Sequence, residues 1–99
     1  LNTRSFAKHM ALNTFYDEIV GLADSFAEAY QGRHGLVGPI TLHSAKKTSN
    51  ILEFLTDSLA ELEDARYKVC SKDETAIQNI IDEIVGLYLT TLYKLRFLA

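Results

Sequence analysis

The chain has 99 residues, 47% hydrophobic and 23% charged, which suits one small globular core and excludes both a disordered tract and a two-domain protein. Its formal net charge of −3, without any cluster of Lys and Arg, argues against a nucleic-acid binder that neutralises many phosphates. A single cysteine, Cys70, excludes an internal disulfide framework and a cysteine-rich zinc site, so a reducing compartment, the cytoplasm, is the expected location.

One proline and five glycines leave long uninterrupted segments, and an all-α fold is expected. The most apolar segment, residues 77–99, contains Asp82, Glu83, Lys94 and Arg96, so no transmembrane span is expected. No signal peptide is visible, and the chain opens on Leu1 rather than Met, through processing or because sequence once lay upstream.

The first predicted helix runs from about Thr3 to Gln31. Leu12, Phe15, Tyr16, Ile19, Val20, Leu22, Ala23, Phe26, Ala27 and Tyr30 recur at three- and four-residue steps, an apolar arc of roughly 160° at about 100° per residue. Asp17, Asp24 and Glu28 lie just beyond one edge of that arc, where a second helix could partly cover them. Three glycines and Pro39 within residues 31–39 stop the helix, with Gly32 placed as its C′ residue. The connection to about Thr48, roughly seventeen residues, is long for neighbouring helices. It either runs the length of the domain or holds a short helical turn around Ile40–Ser44. His34 and His43 lie in it without acids at ligand spacing and read as surface residues.

Thr48 or Ser49 is expected to cap a second helix that ends near Cys70. It carries Ile51, Leu52, Phe54, Leu55, Leu59, Leu62, Ala65 and Val69 on its apolar side and Glu53, Asp57, Glu61, Glu63, Asp64 and Lys68 on a solvated one. Ser71-Lys72-Asp73-Glu74 reads as a capping box that starts the third helix after almost no loop, which forces an antiparallel pair. That helix, from Lys72 or Asp73 to about Leu98, places Ile77, Ile80, Ile81, Ile84, Leu87, Tyr88, Leu92 and Leu95 on one broad stripe and is expected to be the most buried element. Cys70 reads as a small packing residue.

Asp-Glu-Ile-Val-Gly-Leu occurs twice, at residues 17–22 and 82–87, but the positions matching Asp24 and Glu28 are Leu89 and Tyr93. Any chemistry therefore belongs to the first helix. Asp24 and Glu28, four residues apart, project the same way, and with His9 they form a donor set suited to iron, with manganese or zinc as alternatives. His9 lies about 22 Å from Asp24 along the helix axis, so one helix cannot bring all three to one ion. A second copy of the helix would have to supply one end of the site.

His9 followed by Asp24-Ser25-Phe26-Ala27-Glu28-Ala29 and a glycine-containing stop resembles the second helix of the Dps proteins, the ferritin-like mini-ferritins. His9, Ala11, Leu12, Asn13, Phe15, Tyr16 and Asp17, with Tyr30-Gln31-Gly32, are similar to small Dps-like proteins, many of them phage-encoded. That resemblance implies residues 1–99 as one ferritin-like antiparallel bundle of three long helices, lacking the family's first helix. It also implies a homo-oligomer with a two-fold interface, at which Asp24 and Glu28 of one chain face His9 of another, oxidising Fe(II) for storage. The family's second histidine is absent. The competing expectation is a catalytically silent helical structural or assembly protein, phage-encoded in one version, and a third is a small metal-free helical adaptor.

Overall fold

The computed structural model describes residues 3–36 and 50–98, and these form three helices with no strand among the described residues: α1 (Thr3–His34), α2 (Ile51–Val69) and α3 (Thr75–Phe97). The expected turn at Ile40–Ser44 and the surface position of His43 fall outside the described residues. α1 continues three residues past its expected end. Its terminating glycine is Gly35 rather than Gly32, with φ at 89° and its N–H donating to the Gln31 carbonyl at 2.8 Å. Only the left-handed backbone that glycine tolerates closes a helix this way, whereas Gly32 stays within the helix.

α2 starts later than expected because Asn50 is its cap: the Oδ1 accepts from the N–H groups of Leu52 (3.1 Å) and Glu53 (3.3 Å). One half of the predicted capping box forms, with the Ser71 N–H donating to Glu74 Oε2 at 2.7 Å. The other half does not, because Ser71 Oγ accepts from the Asp73 N–H instead. Residues 71–74 thus make a tight turn, and the α-helix begins at Thr75.

α3 is the element against which the others pack. It contributes Ile77, Ile81, Ile84, Leu87 and Leu92 to the core. Tyr88 meets Phe15 of α1 edge to face, with ring centroids 5.0 Å apart, and shares a hydrogen bond with Ser58 of α2. His34 meets Glu74 where the end of α1 lies against the start of α3, and Met10 near the start of α1 lines the same groove as Leu98 at the end of α3. Arg66 near the end of α2 reaches Gln78 and Asp82, so α2 also runs antiparallel to α3. Consequently α1 and α2 run parallel to each other and meet through side chains around Phe15, Leu55 and Leu59. The end of α1 and the start of α2 lie at opposite ends of the bundle, about 32 Å apart if measured along α3 from Glu74 to Leu95. A long connection is therefore obligatory.

The polar closure of the α2–α3 hairpin was not visible in the apolar pattern. Buried Gln78 accepts from Arg66 Nε at 3.0 Å, and its amide donates to the carbonyls of Arg66 (3.2 Å), Cys70 (3.1 Å) and Ser71 (3.3 Å). Arg66 also donates to the Gln78 carbonyl and to Asp82 Oδ1. Replacing Gln78 with Leu keeps the volume but strands these groups, at a cost of about 1–3 kcal/mol. Leu55→Ala, at a side chain with 0% exposure, should cost about 2–5 kcal/mol. Urea denaturation monitored by circular dichroism checks both.

Candidate functional site

His9, Asp24 and Glu28 are all exposed, and none is turned toward the core. Among the described residues no three His, Cys, Asp or Glu side chains converge as a metal-binding group. The two carboxylates sit one turn apart on the outer side of α1, and His9 lies near its start. They mark a rim and do not form a centre within one chain.

What occupies that outer side is a second seam. His9, Asn13, Tyr16, Val20, Ala23 and Ala27 alternate in steps of four and three, the spacing of a helix-pairing stripe, and Tyr30, next in the series, turns in to pack against the cluster of Cys70, Ile77 and Ile81. Val20 is 61% and Tyr16 51% exposed, whereas the inner face buries Ala11 and Phe15. Sequence periodicity merged the two seams into one arc and assigned Tyr16 and Val20 to the core. The packed helices reach only part of that arc. Ala11 and Ala29 approach α3, Leu12 and Ile19 join the cluster shared with α2, and the outer seam lies beyond it.

The seam ends at a latch between α1 and α3. His34 Nε2 lies 2.5 Å from Glu74 Oε1, Arg33 Nε lies 3.9 Å from the same oxygen, and the Tyr30 and His34 rings are 4.6 Å apart. His34 is exposed as expected, but its partner, forty residues away in sequence, could not be read from local spacing. The Ser71 N–H holds the Glu74 carboxyl below the usual carboxylate range, helped by the hydrogen bond from His34 and the nearby Arg33. Burial, with Glu74 nearby, pushes the Cys70 thiol up, and Cys70 is 5% exposed, so it behaves as the packing residue expected. Burial likewise raises the Tyr88 phenol at the floor between α1 and α2.

These features define an all-α chain whose central helix carries two parallel flanking helices and whose longest helix keeps an outer stripe uncovered. The chain belongs to the family of unknown function DUF5856, whose model matches residues 1–95. It is 29% identical over 93 residues to an uncharacterized 14.6 kDa protein in the mobD-ri intergenic region of Enterobacteria phage T4, spanning 94% of this chain and 70% of that protein. No solved structure matches it. The family match overturns the resemblance to Dps mini-ferritins. The His9, Asp24 and Glu28 intervals follow helical periodicity, and an exposed helix rim of any family can carry polar residues at those intervals. No helix among the described residues is long and apolar enough to cross a membrane.

A carboxyl held low in the folded state stabilises it fully above the ordinary carboxylate range, and the effect is lost as pH falls through the lowered value. The stability gap between the native chain and Glu74→Gln should therefore be largest near neutral pH and close on acidification, as read from urea midpoints across pH. The Cys70 thiol should react with a maleimide far more slowly in the folded chain than in urea.

Proposed function

We propose that this protein is a catalytically silent helical assembly protein that acts by offering the outer seam of α1 to another helix. The observation that carries this reading is the exposure of Tyr16, Val20 and Ala23 at helix-pairing spacing on a helix whose adjoining face is already buried. Ala23 and Ala27 are small enough to let a second helix approach closely, about 8 Å between axes. The similarity to a phage T4 protein supports a role in phage biology. A photoreactive residue at position 20 or 23, in cells that express the chain natively, should give a discrete higher-mass adduct. The same residue at position 67, on the exposed outer side of α2, should not. Equal labelling at all three positions, or none, contradicts the reading.

A second reading, iron oxidation at a site shared between chains, is favoured by the parallel projection of Asp24 and Glu28 on an exposed face. It requires His9 of another chain to face them. Ferric absorbance after Fe(II) addition in air should then fall in Asp24→Ala and Glu28→Ala, and equal rates in all three proteins exclude it.

A further inference from the structure

The charge on either side of the outer seam says what kind of helix it accepts, an inference that rests on the association reading above. On the α1 side the rim carries Asp17, Asp24 and Glu28, all exposed. On the α2 side it carries Asp57 and Glu61, also exposed, and the field of Glu61 acts on Tyr88, the residue seated between α1 and α2. Nearby cations of the described chain are engaged elsewhere: Arg33 with Glu74, Arg66 with Asp82, Lys68 with Asp64, and Lys72 over the Tyr67 ring. Lys94 and Arg96 lie in the last turn of α3, where they oppose the negative pole of that helix. Lys8, exposed beside His9, stands at the start of the strip, and along the strip's middle the five carboxylates meet no compensating charge among the described residues.

We infer that the seam between α1 and α2 docks an amphipathic helix of a partner protein whose apolar stripe is flanked by Lys or Arg. A second copy of this chain is the poorer occupant, because two-fold pairing of the same face brings acidic rim against acidic rim, and like-charge juxtaposition across an interface is costly. A basic helix places cations over both rims while its apolar stripe covers Tyr16, Val20, Ala23 and Ala27. From His9 to Ala27 the seam runs about 27 Å, room for a docked helix of about 18 residues.

The test uses the full chain and two designed helical peptides of about 18 residues with the same Leu and Ala stripe, one flanked by Lys and one by Glu. Binding is measured by fluorescence anisotropy at low and raised salt, and each variant is checked for helicity. The Lys-flanked peptide should bind about tenfold or more tightly than the Glu-flanked one, and salt should weaken it. Asp24→Asn with Glu61→Gln should weaken the Lys-flanked peptide several-fold, and Val20→Gln should weaken it too. Asp73→Asn, a charge change on the distant α2–α3 turn, should not. Equal binding of both peptides with loss in Val20→Gln overturns the basic partner and leaves the association reading standing. Self-association that Val20→Gln abolishes does the same, in favour of a second copy. Binding of the Lys-flanked peptide that Val20→Gln leaves intact marks diffuse charge attraction and overturns the proposal. Binding of neither peptide by a chain that stays monomeric overturns both readings.

Discussion

One face of α3 has to be buried from both sides, and the arrangement of the chain follows from that. Ile77, Ile81, Ile84, Leu87 and Leu92 form a stripe too wide for one neighbour, so α2 covers one flank and α1 the other. The short turn at residues 71–74 fixes α2 antiparallel to α3. α1 adopts the same sense, held to Glu74 at one end and sharing a groove with Leu98, through Met10, at the other. The parallel run of α1 and α2 is the consequence, and residues 35–50 must join opposite ends of the bundle.

The same constraint explains the uncovered seam. α1 is 32 residues long, about 48 Å by its rise, and the longest extent of the molecule is 48 Å. A helix that spans the whole body presents its core-facing positions to α3 and to the α2 side chains. Nothing in the described residues lies over Tyr16, Val20 and Ala23. α1 therefore has an inner stripe that stabilises the fold and a second stripe that stays exposed among the described residues, bordered by Asp17, Asp24 and Glu28.

The helical class, the boundaries near Val69 and Phe97, the antiparallel α2–α3 pair and the buried stripe of α3 were legible in the sequence, because each rests on local periodicity or a turn signal. The start of α2 was missed because Asn50 supplies the cap in place of the upstream hydroxyls. The end of α1 was missed because Gly32 is tolerated within the helix, whereas Gly35 is the one glycine among the described residues with positive φ. The two seams of α1 were read as one, since periodicity reports apolarity and not which neighbour is present to cover it. The Gln78–Arg66 closure and the His34–Glu74 latch join residues distant in sequence, and no spacing rule reaches them. The metal reading placed its donors on two chains: shared projection on a helix sets Asp24 and Glu28 together, and His9, about 22 Å along the same helix by the rise of about 1.5 Å per residue, has to come from a partner.

The central claim is that the outer stripe of α1 contributes to association and not to the chain's own core. Its most direct measurement is the unfolding free energy of Val20→Gln with Ala23→Gln, determined from urea denaturation of the isolated chain. The account predicts a stability within about 1 kcal/mol of the native chain, as for substitutions at solvated helix positions. A loss of about 2–5 kcal/mol, the size of a core truncation, would show that these side chains are buried and would contradict it.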